Sequence, residues 1–353
     1  MIITYFRSSS YSRWDFCPMC YFFEYVLGMQ GPSNKKADKG TIVHKTLETL
    51  ALMKKGKQEG KNVIVNDAIG EVSLKNVDPV RFDISNNKGC VNDVNTIAQK
   101  VYVYYTTHLK HHEWTDIDYN DCTKWVWKAL KYNDGQFNPL NRTIIDAEPF
   151  FDITIPQPWS LYNFEYNGQQ LEGALSIKGT IDLVTEIDKN TIEVIDWKTG
   201  RRLDWATGNE KTLVSLKEDP QVRIYHYAIC NMYKKDNVLI TIDFINDGGP
   251  YTIHFDKSDL VKTENMLKKR FEQIKKSQIP NLKKSWKCNK LCHFGKHTFE
   301  DTHVEPMLGS WGLMTQCEQI RHETSKWGID QVIEDYSMPG YSVGKYKNPG
   351  EVS

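Results

Sequence analysis

The sequence predicts an α/β protein. Three observations lead there: apolar residues at helical spacing in residues 42–55, a change to strand-like alternation after Glu148, and helical spacing again in residues 221–233 and 258–276, interleaved with further strands. The composition agrees, because 40% apolar and 12% aromatic residues in a chain of 353 can fill a sizeable core. About two domains are expected from length. With 45 basic and 45 acidic side chains the chain is near neutrality, which excludes a passive DNA coat and makes any nucleic-acid site local. No stretch approaches the ~20 apolar residues of a membrane helix, and the opening MIITYFRSSSYSRWDF lacks the build of a signal peptide. The expectation is a soluble, cytoplasmic protein.

The elements follow in order. Residues 21–27 are helical and stop at Gly28. Residues 30–40 are a loop rich in Gly, Ser, Asn and Lys, ending at Thr41, a good N-cap for a helix over 42–55. That helix buries Val43, Leu47, Leu50 and Ala51 and leaves His44 and Glu48, four apart, sharing another face. Residues 57–145 are a mostly helical insertion, with an Asn- and Asp-rich loop near 83–93 and a helix over 94–110. Alternation then predicts strands over 150–155, 162–166, 171–187 and 191–197, with a turn at Asn167-Gly168. Asp219-Pro220 is an N-cap with proline at the first helical position, opening the helix 221–233. Strands 238–245 and 251–255 flank the turn Asn246-Asp247-Gly248-Gly249, and the helix 258–276 turns Val261, Leu267, Phe271 and Ile274 inward. A tail from 298 to 353 has weak periodicity and is expected to be dispensable for chemistry, its Trp311, Trp327, Tyr336 and Tyr341 serving packing or base stacking.

The densest chemistry lies in Gly179-Thr180-Ile181-Asp182 and Val194-Ile195-Asp196-Trp197-Lys198, two strands joined by a short turn. If they pair as a hairpin, Asp182 and Asp196 converge, and two hard oxygen ligands at one spot suit Mg²⁺. Lys198 lies two residues beyond Asp196 and so faces the same side of the strand, where it can hold a water or a phosphate. His44 and Glu48 are available to complete the site. Alone, an Asp-x-Lys is an ordinary strand end; the joint occurrence carries the inference.

Four of the eight cysteines, Cys90, Cys122, Cys230 and Cys317, stand alone in the sequence and are assigned no role. The others form two close pairs, Cys17-Pro-Met-Cys20 and Cys288-Asn-Lys-Leu-Cys292. In a reducing compartment such pairs bind metal more often than they form disulfides, and four thiolates suit either a [4Fe–4S] cluster or Zn²⁺. His293 and His297 are near enough in sequence to replace one sulfur.

The order of these segments resembles the RecB-like branch of the PD-(D/E)XK nuclease superfamily, which includes nuclease domains of helicase-nucleases, CRISPR adaptation exonucleases and phage exonucleases. Ser8-Ser9-Ser10-Tyr11 before Cys17-Pro18, Gly40-Thr41-Ile42-Val43-His44, Glu148 before a strand, Gly179 to Asp182, Asp196-Trp197-Lys198 and Gln221-Val222-Arg223-Ile224-Tyr225 resemble its motifs in order. The resemblance implies a restriction-endonuclease-like core with a central mixed sheet flanked by helices, spanning 1–297, followed by an extension over 298–353. It implies Asp182, Asp196 and His44 as ligands of Mg²⁺ or Mn²⁺, with the Trp197 carbonyl as a further oxygen, and Lys198 as the group that positions the nucleophilic water. Gln221, Arg223 and Tyr225 would contact the substrate strand. Near-neutral charge fits a narrow basic channel, for which Lys178, Arg201, Arg202 and Arg223 are the candidates, an ordinary surface charge being the alternative for each. Members with an iron–sulfur cluster carry one N-terminal cysteine and three near the C-terminus, so that the metal staples the chain ends; here the split is two and two, with Cys20 making up for a missing C-terminal ligand. The function implied is a metal-dependent DNA nuclease, more an exonuclease than an endonuclease, in recombination, repair or phage DNA metabolism. A non-cleaving DNA-binding or assembly subunit is the alternative, and the joint presence of Asp182, Asp196 and Lys198 argues against it. No GxxxxGK[ST] phosphate loop is present, so unwinding would fall to a helicase or recombination partner.

Overall fold

The computed structural model describes residues 1–31, 33–61, 65–67, 70–72, 87–166, 168–204, 207–290, 292–295, 307–310, 312–341 and 343, side chains of 65–67, 70–72, 87–93, 289 and 290 excepted. Among them, no helix is long and apolar enough to cross a membrane. The chain opens with β1 (Tyr5–Phe6), α1 (Ser8–Phe16) and α2 (Pro18–Tyr21), and a π turn over Phe22–Val26 leads to Gly28 at φ 76°.

Next comes α3 (Lys35–Glu59), which starts well before Thr41. Its N-cap is Asn34, whose side chain accepts from the Ala37 amide at 3.0 Å. The first turn reads as loop in the sequence because its polar side chains find their partners far along the chain: Lys35 lies 2.6 Å from Asp118, and Lys39 lies 2.8 Å from Asp121. Those carboxylates belong to the insertion, which comprises the hairpin β2 (Val65–Asp67) and β3 (Gly70–Val72) with the helices α4 (Asn87–His108) and α5 (Asp116–Lys131). Residues 87–93, expected to be loop, are the first turns of α4, while 83–86 lie outside the described residues.

Strands β4 (Thr143–Ala147), β5 (Phe150–Thr154), β6 (Leu161–Tyr166), β7 (Gln169–Ala174), β8 (Ser176–Thr180), β9 (Leu183–Glu186) and β10 (Thr191–Lys198) follow. Then come α6 (Leu213–Lys217), α7 (Pro220–Tyr233), β11 (Asn237–Phe244), β12 (Gly249–Phe255) and α8 (Asp259–Lys276). The five-stranded sheet has the order β12-β11-β10-β9-β4, with β10 and β11 parallel and the rest antiparallel. A three-stranded sheet, β1-β8-β5, stands beside it, and β6 pairs with β7. Alternation along residues 171–187 suggests one strand, but the segment is three: β7, β8 and β9 each join a different sheet. Period-two alternation reports which face is buried, not which neighbour is paired.

The main sheet is buried on both faces. Ile192 and Val194 of β10 join the cluster that includes Ile224 and Ala228 of α7 and Leu267, Phe271 and Ile274 of α8. Ile195 and Trp197 join Val43, Leu47 and Leu50 of α3 and Val126 of α5 on the other face. Burial on both faces explains why β10 is nearly continuously apolar. In α8 the inward residues are as expected apart from Val261, which is 63% exposed. The chain ends through α9 (Trp286–Lys290), β13 (Leu308–Gly309), β14 (Gly312–Leu313), α10 (Gln316–Trp327) and α11 (Ile329–Tyr336).

Candidate active site

Two places where the chain switches sheets build the centre of the site. Asp182 lies in the break between β8 and β9, and Glu148 in the break between β4 and β5. The breaks are adjacent: the Glu148 amide donates to the Asp182 carbonyl at 3.0 Å, and the Ile181 amide to the Pro149 carbonyl at 3.2 Å. Glu148 sits at φ 50°, a left-handed conformation that costs a non-glycine residue roughly 1–2 kcal/mol and that clusters at functional sites. β9 and β10 pair antiparallel, with Leu183 opposite Ile195, and the Trp197 amide donates to Asp182 Oδ2 at 2.8 Å. The two aspartates expected to converge do so.

Helix α3 approaches from the insertion side. A Cβ on Gly40 would lie 2.7 Å from Thr199 Oγ1, so the missing side chain lets the helix close on the end of β10. One turn later His44 places Nδ1 3.2 Å from Asp182 Oδ2, its ring edge-on to Trp197. Glu48, on the same face, is 5% exposed and 2.7 Å from Lys45.

From the other face, α7 opens as the Asp219-Pro220 pattern predicts, Asp219 accepting from the Gln221 amide at 2.9 Å. Gln221 Nε2 donates to Asp196 Oδ1 at 3.1 Å and to the Tyr225 hydroxyl at 2.8 Å, and that hydroxyl donates to the same carboxylate oxygen at 3.2 Å. Lys198 Nζ lies 2.8 Å from Asp196 Oδ2 and 3.1 Å from Oδ1, on the side of the strand expected. The expectation of substrate contact needs correcting for two residues of α7. Tyr225 is 5% exposed and spends its hydroxyl on Asp196 and the Thr180 carbonyl at 3.1 Å. Arg223 is 1% exposed and pairs with Glu218 at 2.6 Å; two residues beyond Gln221, it points some 200° around the helix from it.

The electrostatics suit a cation between the carboxylates. Burial works to raise the Asp182 carboxyl, but the His44 ring, Lys198 and the Trp197 amide hold it below the usual carboxylate range. Burial and the charge of Asp182 raise Asp196 despite Lys198. Although burial opposes its charge, Lys198 is raised by Asp196 and Asp182 and stays cationic; His44 is likewise raised, against burial, by Asp182. Burial and Glu148 push Glu48 up to about 8, and burial raises Glu148 itself. The buried Glu48 and the exposed Glu148 thus lie close enough to interact, a pairing the sequence did not disclose beyond the position of Glu148. Asp196 Oδ2, though ion-paired, lacks a hydrogen-bond partner in good geometry. Two aspartates, one of them with an under-satisfied buried oxygen, and an imidazole are ligands of the kind a divalent cation takes.

A groove of about 390 Å³ runs beside the site, lined by Ser8, Ser9, Lys198, Arg201, Lys211 and Gln221 among others. Arg201 therefore stands where the channel was expected. Lys178 is held by Asp152 at 2.9 Å, and Arg202 by Glu210 and the Lys211 carbonyl, so neither is free to meet a strand.

The cysteines lie elsewhere. Cys17, Cys20, Cys288 and Cys292 line one cavity of about 560 Å³, with the Cys20 and Cys292 sulfurs 3.4 Å apart. Hydrogen bonding from Cys20 lowers the Cys17 thiol to about 5 and Cys292 to about 7. Cys317, isolated in the sequence, is brought to the same cavity by α10, where its thiol donates to the Phe294 carbonyl at 3.3 Å. Position 297 lies outside the described residues.

No curated protein matches the sequence significantly. Several solved structures are similar, among them two crystal structures. The crystal structure of SSO0001 shares 14% identity over 71% of this chain and 91% of that one, with a TM-score of 0.24. That of a candidate exonuclease from Eubacterium rectale shares 9% over 80% and 97%, with a TM-score of 0.32. A family model, the PD-(D/E)XK nuclease superfamily, matches residues 8–296. That stretch holds α3 with its histidine, both sheet switches, the Asp-x-Lys of β10 and the helix that braces it, and the chain belongs to the PD-(D/E)XK nuclease superfamily.

Proposed function

We propose that the protein is a Mg²⁺- or Mn²⁺-dependent deoxyribonuclease of the RecB-like branch, hydrolysing phosphodiester bonds from DNA ends in recombination, repair or phage DNA metabolism. The observation that carries this reading is the convergence of Asp182 and Asp196 on one spot with Lys198 ion-paired to Asp196. Asp182, Asp196 and His44 would hold the ion, with the Trp197 carbonyl as a further oxygen. Bound there, it supplies charge neutralisation at the phosphate and a more acidic water.

The chain's own residues do the rest. Lys198, one-third exposed and held cationic, cannot serve as a base at neutral pH; it donates to the attacking water or a phosphate oxygen and so orients the nucleophile. Gln221 and Tyr225 fix the rotamer of Asp196 by two donated hydrogen bonds. His44 and the Trp197 amide do the same for Asp182. The groove beside Lys198, with Arg201 on its wall, takes a strand through its phosphates, a local attraction compatible with zero net charge; Lys211 on the same wall is paired with Asp219. Unwinding would belong to a partner.

The cysteine cavity takes a [4Fe–4S] cluster held by Cys17, Cys20, Cys288 and Cys292, with Zn²⁺ as the other thiolate-bound option. A tetrahedral zinc site sets its sulfurs about 3.8 Å apart. The 3.4 Å between the Cys20 and Cys292 sulfurs is close to that spacing, and the preference for the cluster rests on the family resemblance alone.

End-labelled linear DNA and circular DNA, each incubated with the protein and Mg²⁺ or Mn²⁺, test the activity. Metal-dependent loss of linear DNA alone supports an exonuclease, cutting of circles an endonuclease, and no cleavage with either ion refutes the proposal.

A further inference from the structure

The loop between α4 and α5 contains His111-His112, and Asp38 lies in the first turn of α3, over seventy residues earlier. The fold brings all three together. Asp38 Oδ2 is 3.1 Å from His111 Nε2 and 2.8 Å from His112 Nε2, and the three ligand atoms all lie within 4.8 Å of one another. Ser33 Oγ stands 2.9 Å from the same carboxylate oxygen and 3.3 Å from His111 Nε2. Asp38 is only 6% exposed.

The detail that separates this from an ordinary hydrogen-bonded cluster is His112. Its Nε2 is buried and close to a carboxylate oxygen, yet no hydrogen bond of acceptable geometry joins them. His111 Nε2 and Ser33 Oγ hydrogen-bond the same carboxylate oxygen, which leaves His112 Nε2 a buried ring nitrogen beside it with its own bonding capacity unspent, as a metal ligand's would be. The surroundings hold that arrangement: Trp114 packs edge-on against His112, and Lys35 donates to the Glu113 carbonyl at 2.5 Å.

We propose that Asp38, His111 and His112 bind Zn²⁺, with Ser33 Oγ or a water as fourth ligand. Two imidazoles and one carboxylate are a borderline set that late transition ions prefer, whereas the carboxylate-rich centre at Asp182 and Asp196 suits Mg²⁺ or Mn²⁺. The two sites are therefore chemically distinct. The zinc clamps the α4–α5 loop onto the start of α3, six residues before His44, and so braces the helix that carries that histidine. This inference does not depend on the nuclease reading.

The test uses the full chain, stripped with a chelator and titrated with Zn²⁺, and in parallel with Co²⁺, whose thiolate charge-transfer bands report the cysteine cavity separately. For the wild type, Zn²⁺ at a hundredfold excess over its Kd raises the melting temperature by about 5 °C. The H111A/H112A double variant loses one molar equivalent of zinc and that rise while keeping its thiolate–cobalt bands. H111A alone, a change at a side chain 45% exposed and so tolerated by the fold, weakens zinc binding at least tenfold. Equal zinc stoichiometry, affinity and melting shift in wild type and H111A overturn the proposal, as does a wild type whose only bound metal shows thiolate bands.

Discussion

At the scale of single residues, Asp196 is where the site's polar contacts meet, since Lys198, Gln221 and Tyr225 all address its carboxylate. Asp196→Asn keeps the shape and the acceptor oxygen but removes the charge. It should leave the fold intact and reduce single-turnover cleavage by about 10²–10³ or more, as should Lys198→Ala; full activity in either variant refutes the assignment. Gln221→Ala acts differently, because it loosens Asp196 rather than removing a ligand. Its expected signature is a kcat lowered about 10–100-fold with KM little changed; a raised KM at unchanged kcat would instead make Gln221 a substrate contact. Away from the site, Asp243 sits on β11 in register with Trp197, 1% exposed, and burial pushes its carboxyl up to about 7. The folded value exceeds the unfolded one near 4, so the folded chain binds the extra proton between them and stability falls as pH rises from about 4 to 7. Asp243→Asn removes this titration and should gain on the wild type over that range, by on the order of 4 kcal/mol at pH 8. Parallel melting curves of the two proteins at pH 5 and pH 8 would sink the idea.

At the scale of elements, the C-terminal helices matter most. Ile320 of α10 and Val332 and Ile333 of α11 are buried in the same cluster as α7 and α8. The Met338 amide donates to the Leu27 carbonyl at 2.8 Å, and the Tyr341 hydroxyl to the Tyr25 carbonyl at 3.0 Å. Tyr336 and Tyr341 pack against the core, Trp327 is 59% exposed, and position 311 lies outside the described residues. A tail read from the sequence as dispensable is thus packed onto the core, although the family match stops at residue 296. Ile320→Ala should cost about 2–5 kcal/mol in denaturant unfolding. A chain ending near Thr298 should be insoluble or inactive on short DNA; soluble, active protein would restore the accessory reading.

At the scale of the whole molecule, the cysteine cavity joins residues 17–20 to residues 288–292, and a metal there closes a loop of most of the chain. Cys17→Ser or Cys292→Ser should lower both metal content and melting temperature of anaerobically purified protein. If both variants keep wild-type metal and melting, no staple exists. Cys317→Ser separates a ligand from a neighbour: its thiol is raised by burial and bonded to a carbonyl, so it should leave the metal in place.

The sequence alone determined the hairpin carrying Asp182 and Asp196, the facing of Lys198, the helix opened by Asp219-Pro220 and the helical face shared by His44 and Glu48. Each depends on a pattern a few residues long: alternation, a cap, or a one-turn repeat. The tertiary structure decided the rest. The start of α3 at Lys35 rests on carboxylates from α5, the left-handed Glu148 on a neighbouring sheet switch, the burial of Arg223 on packing around α7, and the meeting of Asp38 with His111 and His112 on a helix–loop contact. Such contacts join residues tens to hundreds of positions apart, and their energy comes from burial and charge pairing that exist only once the layers have closed, so no local pattern records them.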